Sequence, residues 1–194
     1  MSLIRLSKGE LQMSKKIAVL VGSLRKDSYN LKVAKVLQQI APQSLSLNII
    51  EIGDLPFYNE DIDVDTPPKS YERFRQQIAN CDGVIFVTPE YNRGLPAVIK
   101  NALDVGSRPY GKSVWSQKPA AVVSVSQGAI GGFGANHQLR QSLVFLDMPT
   151  LQQPEAYIGN INSAFDENGN ISEKTKAFLS LIINSYANWV EKLS

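Results

Sequence analysis

The chain has 194 residues, a formal net charge of +2 and one cysteine. That length suits a single α/β domain able to bury roughly 70% of the surface its unfolded form exposes, and one cysteine excludes an intrachain disulfide or a multi-cysteine metal site, as in a reducing, cytoplasmic setting. Lys and Arg are spread along the chain and no apolar run approaches the roughly 18 to 20 residues of a membrane span, so neither nucleic acid nor membrane is indicated as a partner.

Residues 1–14 read as an N-terminal extension, disordered or a short arm, ahead of a domain at 15–194. They carry Arg5 and Lys8 but lack the apolar core of about 7 to 15 residues that a secretory signal needs. Ile17 to Gly22 predicts a buried strand, and Asn30 to Ala41 a helix with Val33, Val36, Leu37 and Ile40 on one apolar face. Leu45 to Ile52 follows as a strand, Ser70 to Asn80 as a helix and Gly83 to Thr88 as a third strand. Cys81, just before that strand, reads as a buried, inert thiol. A helix follows Pro96, with Ile99, Ala102, Leu103 and Gly106 at helical spacing. Ala120 to Val125 is a fourth strand, about Ala135 to Leu146 a helix, and a weaker strand lies around Thr150 to Ile158. The last helix, Glu173 to Leu193, starts from Ser172 as N-cap. Apolar strands alternating with helices make a parallel sheet covered on both faces. Right-handed crossovers then favour a flavodoxin-like three-layer α/β sandwich with strand order 2-1-3-4-5.

In such a sheet ligands bind beyond the carboxyl ends of the strands where the order reverses, so the loops after strands one, three and four should build the site. The first, Gly22 to Asn30, offers Ser23, Arg25, Ser28, Tyr29 and Asn30 beside a helix N-terminus, a cradle for an anion. It lacks the ATP and dinucleotide glycine fingerprints, which leaves a phosphate monoester; the plainer alternative is a capping serine and a solvated arginine. The second, Thr88 to Pro96, brackets Glu90, Tyr91, Asn92 and Arg93 between prolines, and suits a planar heterocycle or is an ordinary turn. The third, Ser124-Val125-Ser126-Gln127-Gly128 and onward, carries four glycines between Gly128 and Gly134 and is either a flexible loop or one that lets backbone approach a ligand.

Together these stretches resemble the NADPH-dependent FMN reductase family, including the bacterial chromate, quinone and azo-dye reductases. The resemblance runs from about Lys16 to Trp189. It is carried by Gly-Ser-Leu-Arg-x-x-Ser-x-Asn at Gly22 to Asn30, Thr-Pro-Glu-Tyr-Asn at Thr88 to Asn92, Pro96-x-x-x-Lys-Asn-Ala-x-Asp ending at Asp104, and Gln127-Gly-x-x-Gly-Gly ending at Gly132. It implies that Ser23, Arg25, Ser28 and Asn30 hold the FMN phosphate. Pro89, Glu90, Tyr91 and Asn92 would flank the isoalloxazine, and Ser124, Val125, Ser126, Gln127 and Gly128 would approach its far side. It also implies a homodimer, or a homotetramer of two dimers, with the helix after Pro96 in the interface, where Ala102 is the position to charge. The loop holding Phe57 and Tyr58 would close the partner's substrate pocket. Where the family often has a hydrophobic or small residue after Asn92, this chain has Arg93, a departure that would alter which acceptor is preferred.

The implied activity passes electrons from NADPH or NADH through FMN to a small-molecule acceptor: quinones, azo compounds, chromate or free flavin. The cofactor carries that chemistry, so no catalytic acid, base or nucleophile and no metal ligand is assigned; His137 reads as a helix-terminal surface or interface residue, and Arg108 as an inter-subunit or phosphate-edge contact. The alternatives are a flavodoxin-like electron carrier, a class that is typically strongly acidic, and a flavin-binding module without turnover.

Overall fold

The protein is described by a computed structural model, which covers residues 14–194. Apart from Ser14, the extension expected at residues 1–14 lies outside the described residues. The strands are β1 (Lys15–Val21), β2 (Leu45–Ile50), β3 (Gly83–Thr88), β4 (Ala120–Val125) and β5 (Ala156–Ile158). The helices are α1 (Tyr29–Ile40), α2 (Lys69–Ala79), α3 (Ala97–Gly106), α4 (Phe133–Phe145) and α5 (Glu173–Lys192). All strand pairs are parallel and the order is β2-β1-β3-β4-β5, the flavodoxin-like order expected.

Period-two alternation divides the core. Ile17, Val19 and Val21 of β1, with Ile85, Val87, Val123 and Ile158, pack under α1 and α5. Ala18 and Leu20, with Val84, Phe86 and Val122, pack under α2, α3 and α4. Because both faces are covered, β3 and β4 are buried along their whole length and read as continuous apolar runs. Ser28 caps α1 by accepting the Leu31 amide, and Ser172 caps α5 by accepting that of Thr175. Cys81 is buried and donates to the Gln77 carbonyl, and burial pushes its thiol pKa up, the mark of an inert thiol.

Two details differ from the pattern in the sequence. The fifth strand is three residues long, since Pro149 and Pro154 cannot donate to a ladder. A single bridge to Ala120 at Thr150 precedes a looped stretch that rejoins the sheet at Ala156. The apolar face of α1 is rotated, burying Val33, Ala34 and Leu37 and leaving Val36 and Ile40 half-buried, because α5 covers that side.

Candidate active site

The strand order reverses between β1 and β3, and the chain leaves β1 there through Gly22. A Cβ on Gly22 would lie 2.6 Å from Ile99 Cδ1 and 2.9 Å from Pro89 Cδ, so this glycine lets the first and second loops close on each other. Beyond it, Ser23, Leu24, Arg25, Lys26 and Asp27 donate no backbone hydrogen bond among the described residues. Ser28 spends its acceptor on the helix cap and keeps its hydroxyl proton for another partner. Asn30 is 6% exposed, yet its Oδ1 has no hydrogen-bond partner. Arg25 is exposed and pairs with no carboxylate among the described residues. Tyr29 stacks on Phe165, centroids 6.0 Å apart, which fixes its ring at the mouth of the loop.

The second loop is a two-residue hairpin turn. Tyr91 and Gly94 exchange both backbone hydrogen bonds, and Asn92 and Arg93 between them have φ of +51° and +63°. That geometry favours Asn-Gly, so Arg93 holds an uncommon left-handed conformation. Its guanidinium reaches Glu90 at 3.2 Å and its side chain is 73% exposed. Pro89 is buried and Tyr91 half-exposed.

In the third loop the glycines serve packing as well as approach. Gly131, at φ +67°, would bring a Cβ within 2.8 Å of the Tyr157 backbone, and Gly132, at φ +77°, within 3.0 Å of Ser124 Cβ. Gly128 is the least crowded of the four, since an added Cβ would meet only Ser126 Oγ at 3.6 Å, and its amide donates to that oxygen at 3.1 Å. The loop is also tied to the turn after β5 through Ile161 N–H to the Ser126 carbonyl.

These pieces enclose an open cleft with a cavity volume of about 220 Å³, at the carboxyl end of the sheet where the loops were expected to converge. Ser23, Arg25, Ser28, Tyr29, Asn30, Pro89, Glu90, Tyr91, Val125, Ser126 and Gln127 all contribute to its walls. Two more open clefts adjoin it and share Arg25, one with Ser23 and the other with Tyr91. Ile161 also lines the cleft and was not singled out in the sequence. Its one signal is position, since the turn after β5 lies at the same end of the sheet.

Several expected residues lie elsewhere. Ser124 is fully buried inside β4, donating to the Ala156 carbonyl and accepting from Asn136, so its side chain is structural. Asn92, Arg93 and Gly128 sit on the exposed rims rather than in the walls. Phe57 and Tyr58 stand apart on the loop after β2. Asn101 accepts the Tyr58 amide at 2.7 Å and donates to the Leu55 and Pro56 carbonyls, while the Tyr71 hydroxyl donates to those of Pro56 and Phe57. The Phe57 side chain is thus held out, 77% exposed, on an anchored loop. His137 lies on the exposed face of α4 within hydrogen-bond distance of the Tyr157 hydroxyl, whose pKa burial and Glu155 push up to about 12. Arg108 lines a groove between α3 and α4, away from the cleft.

The donor set fits FMN. Free amides, two hydroxyls and a guanidinium suit a phosphate, and a buried unpaired amide oxygen suits a polyol hydroxyl. Proline and tyrosine walls suit a flat ring. The sequence pattern of the NADPH-dependent FMN reductase family matches residues 15–163. A quinone reductase of Pseudomonas putida is 61% identical over 175 residues, covering 90% of this chain and 94% of that protein. A 2-hydroxy-1,4-benzoquinone reductase of Burkholderia sp is 49% identical over 179 residues, covering 92% and 97% respectively. In structure the chain is similar to FerB, a flavoenzyme NAD(P)H:(acceptor) oxidoreductase from Paracoccus denitrificans. The TM-score is 0.86 at 44% identity, with 92% of this chain and 98% of that one covered.

Proposed function

Because the chain belongs to the NADPH-dependent FMN reductase family, we propose that it holds FMN in the cleft between its first, second and third loops and uses NADPH or NADH to reduce quinones. The observation that carries this reading is the convergence of unpaired donors from the first loop and flat walls from the other two on the point where the strand order reverses.

FMN, when bound, supplies the chemistry of accepting a hydride from the nicotinamide and returning two electrons to the acceptor. The chain's own residues hold and orient. Ser23, Arg25, Ser28 and the amides of residues 23–27 take the phosphate. Asn30 offers its unpaired Oδ1 to a ribityl hydroxyl and its amide N–H to the phosphate side. Pro89 to Tyr91 and Val125 to Gln127 bracket the ring, and Asn92 and Gly128 read its edge from the rims. We assign no acid, base or nucleophile in the cleft, because the cofactor carries the chemistry, and acceptor range is then set by access rather than by a proton donor. On that ground azo compounds, chromate and free flavin are proposed as further acceptors, with Arg93 at the rim favouring anionic ones.

A homodimer, and a homotetramer of two dimers, belong to the same proposal, as does a cytoplasmic location. Val144 and Phe145 are 78% and 86% exposed at the end of α4 beside the α3 groove, an apolar surface that supports an interface there. Ala102, expected on that surface, is fully buried under the sheet, because the face of α3 that carries it packs on Phe86 and Trp115. Among the described residues no helix is long and apolar enough to cross a membrane. Steady oxidation of NADPH or NADH by the FMN-loaded protein in the presence of a quinone tests the reading. A carrier or a non-catalytic module would bind FMN and show no such turnover.

A further inference from the structure

The helix α4 begins without a cap of its own. Its N-cap is Gly132, which has no side chain to offer, and its first turn holds no acidic residue. The amide of Ala135 is taken instead by Glu90 Oε2 at 3.0 Å, from a loop 45 residues away in sequence. A carboxylate there satisfies an orphan donor and faces the positive end of the helix dipole. The Glu90 side chain is only 10% exposed, and its second oxygen accepts from Arg93.

A second tie lies one turn further along α4. Gln138 Oε1 accepts the Leu95 amide at 2.5 Å. Beside the first tie the backbones nearly touch, since a Cβ on Gly134 would lie 2.8 Å from the Arg93 carbonyl oxygen and 2.9 Å from Glu90 Oε2. Both ties cross the same boundary. Pro89 to Tyr91 form one wall of the cleft and Val125 to Gln127 the other, and the second wall runs through residues 128–132 directly into α4.

We infer that Glu90 is a positioning residue for the flavin: its carboxylate, acting through the N-terminus of α4 with Gln138 as a second tie, sets the separation of the two walls that bracket the ring. The inference rests on the function proposed above. It also gives the acidic residue of the second loop a role that needs no contact between its carboxylate and the cofactor, since each oxygen already accepts a bond within the protein.

The experiment compares Glu90→Ala, Glu90→Gln and Gln138→Ala in the full chain. FMN affinity is read by fluorescence quenching, ring environment by the visible spectrum of bound FMN, and the tie itself by hydrogen exchange of the Ala135 amide in the apoprotein. Glu90→Ala is expected to weaken FMN binding about tenfold as the tie to the Ala135 amide is lost and the walls part, to alter the spectrum, and to speed Ala135 exchange. Glu90→Gln keeps an oxygen for the Ala135 amide, while the exposed Arg93 is free to turn away, and should recover most of the affinity and the parent spectrum. Gln138→Ala should move both readouts in the same direction as Glu90→Ala. Unchanged affinity and spectrum in Glu90→Ala, even with a lower apoprotein melting temperature, would overturn the inference and leave Glu90 a helix cap alone. So would a Glu90→Gln protein as defective as Glu90→Ala, because charge and not the tie would then be responsible. If Glu90→Ala does not fold, unchanged FMN affinity in Gln138→Ala overturns it. If the wild type takes up no FMN, the proposed function has failed, and unaccelerated Ala135 exchange in Glu90→Ala would separately refute the tie.

Discussion

Replacing Arg25 by alanine separates cofactor binding from folding more cleanly than any other change in the cleft. Arg25 is exposed, makes no ion pair or side-chain hydrogen bond among the described residues, and borders all three adjoining clefts. Its removal breaks nothing inside the fold, so unfolding stability should stay within about 0.5 kcal/mol of wild type. Losing one charge-assisted contact to a phosphate costs about 1.5 to 3 kcal/mol, or roughly ten- to a hundredfold in affinity. Solvent and salt reach the guanidinium, so the low end is expected at physiological ionic strength, and the difference should widen as salt is lowered. FMN titrations by fluorescence quenching, with circular dichroism to confirm folding, measure this directly. Riboflavin, without the phosphate, should bind wild type weakly and hardly distinguish it from Arg25→Ala. Equal FMN affinity in the two proteins would refute the assignment and leave the phosphate to Ser23, Ser28, Asn30 and the loop amides.

The remaining expectations test other parts of the structure. Ser124→Ala removes a buried hydroxyl that bonds Ala156 and Asn136, so urea unfolding should show a loss of about 1 to 2 kcal/mol with FMN affinity unchanged. Phe145→Glu places a charge on an exposed apolar position and should shift sedimentation toward monomer without lowering the melting temperature of the monomeric form. The Arg73 guanidinium hydrogen-bonds Asp54 and holds its carboxyl below the usual 3.8. A depressed folded pKa contributes stability that is complete above the unfolded value and is lost as pH falls through the folded one. Asp54→Asn should therefore flatten the acid limb of stability below about pH 4, and cost under about 1 kcal/mol at neutral pH because the pair is 37% and 46% exposed.

The fold was legible in the sequence because its strands are short apolar runs and two of its helices, α1 and α5, carry clear caps. Ser172 caps α5 as its position suggests, Ser28 caps α1 as the plainer alternative had it, and the strand order is the one that alternation and right-handed crossovers favour. The cleft was legible as three loops at one end of the sheet. What the sequence did not reveal are consequences of register and packing. Ser124 has the polar character of a site residue, but β4 is covered on both faces, so the residue is buried whichever way it points. Ala102 looks like part of a free helical face until Trp115, from a loop after α3, packs against that helix. Glu90 lines the cleft as expected, but its bond to the uncapped start of α4 was not visible in the sequence. Each depends on a partner distant in the chain, which local pattern does not report.

The most direct measurement is an anaerobic titration of the FMN-loaded protein, following the visible absorbance of the bound flavin. One equivalent of NADPH or NADH per flavin should bleach it, and one equivalent of a benzoquinone added afterwards should restore it, with the cofactor still bound and the protein still folded. Failure of either nicotinamide to bleach the flavin, or a bleached flavin that the quinone leaves unchanged, would contradict a quinone reductase working through this cleft.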